Sequence, residues 1–187
     1  MIFNFRIVSD EVDNFKREIN IDSTATFMDL RNAICDCTGY DKNVFSSFFL
    51  CDEDWEKKLE ITSDDMDFDA DQDFELMDDA ILGDLIEEEG QKLLYVFDYM
   101  TDRAFFVVMT EMIPDRSLKD AVCSLSVGKA PAQTMDIDEF DAIVDAKAAK
   151  GAVTPVGDDD LDADFYGADA YNEDEFDADS FSDLMED

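Results

Sequence analysis

The alternation of apolar and polar residues predicts that the chain begins with two β-strands. Apolar side chains occupy every second position in residues 3–7 and again across most of residues 15–21. A period of two is typical of strands that have one buried face. Residues 9–11, Ser-Asp-Glu, can form a turn between them, so we expect an antiparallel pair.

A helix is predicted next, because apolar residues recur at spacings of three and four. This stripe consists of Phe27, Leu30, Ile34 and Cys37. Thr26 can cap the start of the helix, and Asp29 stands at the third helical position, as in a capping box. Gly39 occupies the place where a left-handed C-terminal cap is expected.

The rest of the first 133 residues predicts further strands and a second, shorter helix. The predicted strands cover residues 44–51, 59–62, 93–99, 104–113 and 121–127, the last at a sheet edge. Residues 100–103 join two of them as a hairpin, residues 63–76 form a loop, and a helix runs from residue 80 to near Gly90. This order predicts an α+β fold, with a largely antiparallel sheet packed against one or more helices.

The distribution of charge predicts where the globular domain ends. The chain has a formal net charge of −36, and residues 134–187 contribute nineteen acidic residues against two lysines. We therefore predict a globular domain in residues 1–133 with an acidic loop at 63–79, and an amphipathic helix, 137–150, within residues 134–151. Residues 152–187 are predicted to be a disordered acidic tail, because they are too charged to form a core.

The same charge narrows the classes of partner. Binding to nucleic acid directly, or to an anionic membrane, needs clustered basic residues, so a basic protein is the expected partner. No apolar run is long enough to span a bilayer, and the N-terminus lacks the features of a signal peptide. The four cysteines show no disulfide-like spacing, which favours a reducing, cytoplasmic location.

Five short segments resemble the plasmid pRiA4b ORF-3-like family, in order and in spacing, over roughly residues 3–130. They are Phe15-Lys16-Arg17-Glu18-Ile19, residues 25–30, Gly39-Tyr40-Asp41, the Phe45 and Phe48 pair, and residues 92–99. Members of this family often occur in mobile elements, and their biochemical role is not established. The resemblance therefore implies the fold and not an activity.

The chain departs from that family's pattern at positions that could carry chemistry. Met100 stands where the family usually has Gly, and Arg103 and Phe105 stand where a Trp and then a His usually follow. The family's His after its Gly-Trp-Asp segment is also missing, and the chain has no histidine at all. Any histidine-dependent chemistry in relatives cannot be carried over to this chain.

Candidate catalytic and ligand-binding residues are few. Without histidine, catalytic triads and common zinc sites lose their most frequent member, and the seven glycines form no phosphate-binding loop. Cys35 and Cys37 are expected to be structural, since the two point to different faces of a helix. Asp98 and Asp102 flank the predicted hairpin turn, where carboxylate catalysis is conceivable and turn formation is the ordinary explanation. We assign no catalytic, cofactor or metal residue.

Two other features have a functional and a simpler interpretation. Asp67, Asp69, Asp71, Asp73 and Asp78 are spaced like part of a calcium loop. However, Gln72 replaces the glycine of the turn and Asp78 replaces the bidentate glutamate, so no specific calcium site is expected. Trp55 could anchor a partner, but a hairpin or core position is the expected one.

The acidic tail is the main functional lead, because aromatic residues interrupt its charge. Such a segment can fold when its apolar side chains dock in a groove. The expected partner-binding residues are Phe176, Phe181, Leu184 and Met185. The sequence thus favours a non-enzymatic interaction module. Alternatives are a passive solubilising tail, a carboxylate enzyme or its remnant, and a regulator or nucleic-acid mimic that acts on a nucleic-acid-binding protein.

Overall fold

A computed structural model describes residues 1–64, 74–138 and 142–143. Within these residues, eight strands and two named helices follow one another. The strands are β1 (Ile2–Val8), β2 (Lys16–Asp22), β3 (Ser47–Cys51), β4 (Lys57–Thr62), β5 (Phe74–Leu76), β6 (Lys92–Asp98), β7 (Arg103–Ile113) and β8 (Val122–Val127). The helices are α1 (Phe27–Thr38) and α2 (Leu82–Leu85).

The strands form one sheet in the order β5-β4-β3-β6-β7-β1-β2-β8. Every neighbouring pair is antiparallel except β4 and β5, which are parallel. The predicted α+β fold with a largely antiparallel sheet is therefore confirmed. The pairing of β1 with β2, the hairpin of β6 and β7, and the edge position of β8 also agree with the prediction.

The core lies on the sheet face that α1 covers. Phe5, Ile7 and Ile19 are fully buried there, beside Leu30 and Ile34 from the helix stripe. Their strands alternate buried with more exposed residues, as the apolar pattern predicts. Burying an aliphatic or aromatic side chain of this size stabilises the fold by roughly 1.5–3 kcal/mol, so this face supplies most of the apolar stabilisation.

Both predicted caps of α1 are present. Thr26 accepts a hydrogen bond from the backbone N–H of Asp29, and the Asp29 carboxylate accepts one from the backbone N–H of Thr26. This reciprocal capping box satisfies two of the N–H groups that a helix leaves open at its start. Gly39 ends the helix with φ +79°, the left-handed conformation that glycine adopts without steric cost.

The third strand is shorter than predicted, since β3 begins at Ser47 and not at residue 44. The reason is Arg31 of α1, which is buried and donates hydrogen bonds to the carbonyl oxygens of Lys42 (2.6 Å) and Val44 (2.8 Å). These bonds hold the preceding segment in a turn against the helix and away from the sheet ladder.

The predicted loop over residues 63–76 is wrong at its end, because Phe74–Leu76 forms β5. The high acid content concealed a short alternation, in which Glu75 is exposed and its two apolar neighbours are half-buried. The backbone of the next residue, Met77, continues the contact by donating to the carbonyl of Thr62 (2.9 Å). Residues 65–73 of the predicted loop lie outside the described residues.

The second helix also ends earlier than predicted, at Leu85 and not near Gly90. Gln91 closes it from outside: its amide donates to the Leu85 carbonyl (3.0 Å), and its side-chain oxygen accepts from the backbone N–H of Glu87 (2.9 Å). The side chain of Gln91, six residues beyond Leu85, thus makes the hydrogen bonds that backbone groups would make in a longer helix.

Little of the predicted C-terminal appendage falls within the described residues. Residues 137–138 and 142–143, which fall within the helix predicted at 137–150, are helical and exposed. The rest of that helix and the predicted tail, 152–187, lie outside the described residues, and the domain boundary after residue 133 stays a prediction. Within the described residues, no helix is both long enough and apolar enough to cross a membrane.

Candidate functional site

An ion-pair network centred on Arg103 lies at the end of the sheet where the β6–β7 hairpin turns. Arg103 is the first residue of β7, and its side chain is only 2% exposed. Its Nε donates to both carboxylate oxygens of Glu11 (3.0 and 3.1 Å), and its Nη2 lies 2.8 Å from Glu11 Oε2. Its Nη1 donates to Asp98 Oδ2 at 3.3 Å, and Nη2 also donates to the Ala132 carbonyl at 2.7 Å.

The network holds Arg103 in its charged form. Burial acts to lower the pKa of the guanidinium, but the hydrogen bonds and charge of Glu11, and then those of Asp98, more than offset it. The pKa of Arg103 is therefore raised above its ordinary value. A buried charge that is paired in this way joins segments of the fold and leaves no spare proton for transfer at neutral pH.

Asp98, one of the two carboxylates considered for catalysis, is a buried turn-former. Its Oδ1 accepts from the backbone N–H of Met100 (3.1 Å) and its Oδ2 from the hydroxyl of Thr101 (2.8 Å). Oδ2 also accepts from Arg103 and from the backbone N–H of Met135 (3.3 Å). Both oxygens are thus engaged inside the protein, which agrees with the turn-forming interpretation.

Asp102, the other carboxylate, sits exposed at the tip of the same hairpin. Its backbone has φ +50°, which the turn requires, and its carboxylate lies 3.4 Å from Lys57 Nζ. Asp102 and Lys57 help to line a cavity of about 220 Å³, whose floor includes Arg103 and Phe106. The structure thus brings Asp98 and Asp102 to the two ends of one turn, but only Asp102 reaches solvent.

The segment after β8, residues 129–135, closes the other side of the Arg103 network. Tyr40 is buried and donates its hydroxyl to the Pro131 carbonyl at 2.9 Å. Burial is the largest cause of a raised pKa at Tyr40, so this hydroxyl stays protonated and acts as a donor. Gln133 makes two further bonds, accepting from the backbone N–H of Asp41 (2.7 Å) and donating to its carbonyl (3.0 Å).

Arg103 and Phe105 pack against aromatic rings beside this segment. The ring of Phe105 stacks with that of Tyr40, with centroids 5.7 Å apart, and lies 4.5 Å from Phe97. The Arg103 guanidinium lies 5.1 Å from the Phe97 centroid. Aromatic and cation–π packing therefore fills the region between Tyr40, Phe97 and Arg103.

Sequence reasoning missed the buried arginines as a group. Arg17, in β2, is 4% exposed, and its guanidinium donates to the carbonyls of Cys37 (3.1 Å), Val127 and Gly128 (3.0 Å). A signal was available, because the strand alternation places Arg17 on the core face between Phe15 and Ile19. A charged residue at such a position needs hydrogen-bond partners, and here backbone carbonyls supply them.

A smaller polar cluster, also missed, lies beside the same hairpin turn. The Tyr99 hydroxyl donates to Glu60 Oε1 (2.5 Å) and also lies 2.6 Å from Ser47 Oγ, which donates to the same Glu60 oxygen at 2.8 Å. Burial, followed by the hydrogen bond to Glu60, raises the pKa of Tyr99. The cluster joins β3, β4 and the hairpin turn, and Ser47 is fully buried, so its hydroxyl cannot reach a substrate.

The remaining candidates fall where the simpler interpretation places them. Cys35 is buried beside the Tyr95 hydroxyl at 3.7 Å, and Cys37 is half-buried. Trp55 lies in the turn between β3 and β4, with its ring packed edge-on against Phe106, 5.0 Å between centroids. The described residues contain no group of three or more side chains placed to hold a metal ion.

The other sequence candidates cannot be placed. Asp67, Asp69, Asp71 and Asp73 of the calcium-like spacing lie outside the described residues, and Asp78 is exposed. The four predicted partner-binding residues, Phe176, Phe181, Leu184 and Met185, also lie outside them. Both interpretations of these segments stay predictions.

Comparison with known proteins supports the resemblance and extends it. The family model described as plasmid pRiA4b ORF-3-like protein matches residues 2–181, well beyond the residues in which the short segments occur. No curated protein matches the chain. A crystal structure of a protein of unknown function, MM3350 from Methanosarcina mazei Go1, is similar with a TM-score of 0.58 and 14% identity. The match covers 79% of this chain and 81% of that one, and at this identity it shows the fold alone.

Proposed function

Since the chain belongs to the plasmid pRiA4b ORF-3-like family, we propose that it is a divergent, non-enzymatic member that binds a basic protein. The observation that carries this proposal is the segregation of charge. Residues 134–187 hold nineteen acids and two lysines within a chain of net charge −36. Such a segment attracts a basic surface at long range, and attraction between exposed charges weakens with salt.

The aromatic and aliphatic residues at the end of the chain would supply specificity. Phe176, Phe181, Leu184 and Met185 stand among acidic residues. A partner with a hydrophobic groove rimmed by basic side chains would accept both features, because the apolar groups gain burial while the acids pair with the rim. In this proposal the charge sets the rate of encounter and the four apolar residues set the choice of partner.

The described fold adds a second acidic surface that fits the same class of partner. Seven acids and no basic residue occur from the start of β5 to the residue before β6, and all seven are exposed. They are Glu75, Asp78, Asp79, Asp84, Glu87, Glu88 and Glu89. Glu89 accepts a hydrogen bond from the backbone N–H of Met112 (2.7 Å). The others project from β5, α2 and the loop that follows.

The carboxylate-enzyme alternative receives less support. A general base needs an oxygen that can reach a substrate proton, whereas both oxygens of Asp98 accept hydrogen bonds within the turn and from Arg103. Asp102 is exposed, but its carboxylate is paired with Lys57 at the cavity. A remnant of an enzyme would keep the fold in this way after losing its histidines.

A nucleic-acid mimic is the special case in which the basic partner itself binds DNA or RNA. We propose a cytoplasmic location for either case, in keeping with the four cysteines, all free thiols. The two cases differ in one measurable respect. A mimic would be displaced from its partner by duplex DNA or by RNA, whereas a partner that binds elsewhere would form a ternary complex.

The proposal is tested with immobilised full-length protein and two matched variants. The anchor variant replaces Phe176, Phe181, Leu184 and Met185 with serine. The control variant replaces Leu161, Phe165, Tyr166 and Tyr171 with serine, which removes similar apolar groups at the same net charge. We expect the wild type and the control to capture the same partner from lysate, in amounts that fall with salt, and the anchor variant to lose it.

A titration with poly-L-lysine separates charge from specificity. All three proteins should bind this polycation equally, because their charges are identical. If the anchor variant keeps its partner, the tail acts only as a polyanion. If the wild type captures no partner that depends on salt, the interaction proposal itself is wrong.

A further inference from the structure

Two of the four thiols lie together where α1 ends over the edge of the sheet. Cys37 belongs to the last turn of α1 and is half-buried, and Cys123 belongs to the edge strand β8 and is exposed. The helix contacts both β2 and β8, and Cys123 pairs across the ladder with Ile19 of β2. The last turn of the helix and the outermost strand therefore share one patch of surface.

The two side chains lie near each other. After burial, Cys123 is the largest influence that raises the pKa of the Cys37 thiol, and α1 and β8 are in contact at this end of the helix. Each thiol also lies 3.2 Å from a carbonyl oxygen of its own element, Cys37 from Ile34 and Cys123 from Leu125.

Arg17 holds the end of α1 and the end of β8 together. Its guanidinium donates to the carbonyl of Cys37 at the end of α1 and to the carbonyls of Val127 and Gly128 at the end of β8. Because Arg17 is itself buried, the distance between the helix end and the edge strand is set by a rigid group. The proximity of the two thiols is thus part of the packing of the fold.

The other two cysteines are placed differently and provide internal controls. Cys35 is buried in the core beside Tyr95. Cys51 ends β3, which is separated from β8 by four strands of the sheet. Because Cys35 is buried and Cys51 is separated from Cys123 by four strands, a chemical reaction between Cys37 and Cys123 can be told apart from general thiol oxidation.

We propose that Cys37 and Cys123 form an oxidation site, at which a low-molecular-weight disulfide converts the two thiols into an intramolecular disulfide. The exposed Cys123 thiolate attacks one sulfur of oxidised glutathione, which forms a mixed disulfide and releases one glutathione. The Cys37 thiolate then attacks the Cys123 sulfur and releases the second glutathione. Two protein thiols and one glutathione disulfide thus give one protein disulfide and two glutathione thiols.

The product would link the end of α1 covalently to the edge of the sheet. Closing a long loop lowers the entropy of the unfolded chain, so the oxidised protein should melt at a higher temperature, and a reductant should reverse the shift. An exposed edge strand is also the part of a sheet most able to pair with another chain. The link would hold β8 against the fold.

The test uses the full-length protein, oxidised glutathione, and peptide mass spectrometry after alkylation under non-reducing conditions. We expect a linked pair of peptides that contain Cys37 and Cys123. The double variant Cys35→Ser/Cys51→Ser should give the same linked pair. Cys37→Ser should stop at a glutathione adduct on Cys123, because the second thiol is missing, and Cys123→Ser should give neither product.

Two results would overturn the proposal. In the first, wild-type protein would accumulate the glutathione adduct on Cys123 and never lose it, as Cys37→Ser does. In the second, the linked peptides would come from two chains, which a mixture of isotopically light and heavy protein distinguishes. Both measurements can be made on folded protein, so an unstable variant does not leave the question open.

Discussion

Arg103 and Glu11 form a forked ion pair between residues that are 92 positions apart in the chain, with Nε 3.0 Å from Oε1 and Nη2 2.8 Å from Oε2. Glu11 belongs to the turn between β1 and β2, and Arg103 begins β7. The pair therefore joins two hairpins at the same end of the sheet. Asp98 completes it from the β6 side, 3.3 Å from the guanidinium.

Replacing Arg103 with methionine should destabilise the protein strongly. The change leaves Asp98, whose side chain is 4% exposed, without its cationic partner, and breaking a buried pair in this way costs about 3–5 kcal/mol. Urea denaturation should report this loss in the free energy of unfolding. Adding Asp98→Asn to Arg103→Met should lower the free energy of unfolding by less than Asp98→Asn does alone, because the two residues share one interaction.

Lys58→Met provides the matched control for Arg103→Met. Lys58 also pairs with two carboxylates, those of Asp52 (2.7 Å) and Glu56 (2.8 Å), but its side chain is 53% exposed. Exposed pairs contribute little to stability, because water and salt screen them. Similar losses in the two variants would contradict the structural role that we assign to the Arg103 network.

Gly39 and Gly128 both have positive φ, and they should respond differently to replacement by alanine. At Gly128 a Cβ atom would lie 2.4 Å from the carbonyl oxygen of Asn14, whereas at Gly39 nothing lies within 4 Å. Gly39→Ala should therefore cost only the left-handed backbone penalty, about 1–2 kcal/mol. Gly128→Ala should lower the melting temperature by clearly more, because the backbone of Asn14 must move. Equal shifts would show that the β8 end is adaptable.

Much of the fold follows from local pattern. The alternation in residues 3–7 and 15–21 predicted β1 and β2, and the Thr26 and Asp29 pair predicted the start of α1, because strand faces and caps are local effects. The same pattern failed at β5, where the acid content outweighed the alternation around Glu75. Three residues give too short a stretch for periodicity to decide.

The site was less predictable than the fold, because its contacts are not local. Asp98 was expected to form the hairpin turn, and it does so by bonding Met100 and Thr101. Nothing in the spacing of residues pointed to Glu11 as the partner of Arg103, since that pairing exists only after two hairpins have come together. Arg17 gave a signal by lying on a core face, but its carbonyl partner Val127 is 110 residues away.

Asp22 should make the protein more sensitive to acid. Its pKa is lowered, first by the hydrogen bond from the backbone N–H of Thr24 (3.0 Å) and then by that from Leu118 (3.0 Å). A carboxyl with a lowered pKa in the folded state contributes stability above the unfolded value, near 3.9, and loses it as pH falls through the folded value. Asp22→Asn should therefore destabilise at neutral pH, with the difference from wild type shrinking below about pH 4.

Thermal melts of both proteins across this pH range provide the measurement. Glu88→Gln is a suitable control, since this carboxylate is exposed and the change removes the same charge. The control should follow the wild-type curve. A constant gap between wild type and Asp22→Asn at every pH would mean that the Asp22 carboxylate contributes through its shape alone.

The segment of residues 129–135 should decide where the folded domain can be cut. Its hydrogen bonds join four pairs of residues, which are Pro131 with Tyr40, Ala132 with Arg103, Gln133 with Asp41, and Met135 with Asp98. A chain that ends at residue 128 loses all of them, at about 0.5–1.5 kcal/mol for each bond. It also leaves donors of the buried Tyr40 and Arg103 without partners, which adds to the cost.

We expect a chain of residues 1–136 to melt cooperatively and close to the full-length protein. The chain that ends at 128 should melt far lower, and the sequence-predicted end at 133 should fall between them, since it lacks only the bond from Met135 to Asp98. A chain of residues 1–151 serves as control and should match residues 1–136. A broad melt for residues 1–136 would place the appendage within the folding unit. If residues 1–128 melted at the same temperature as the full-length protein, these four pairs would contribute no stability.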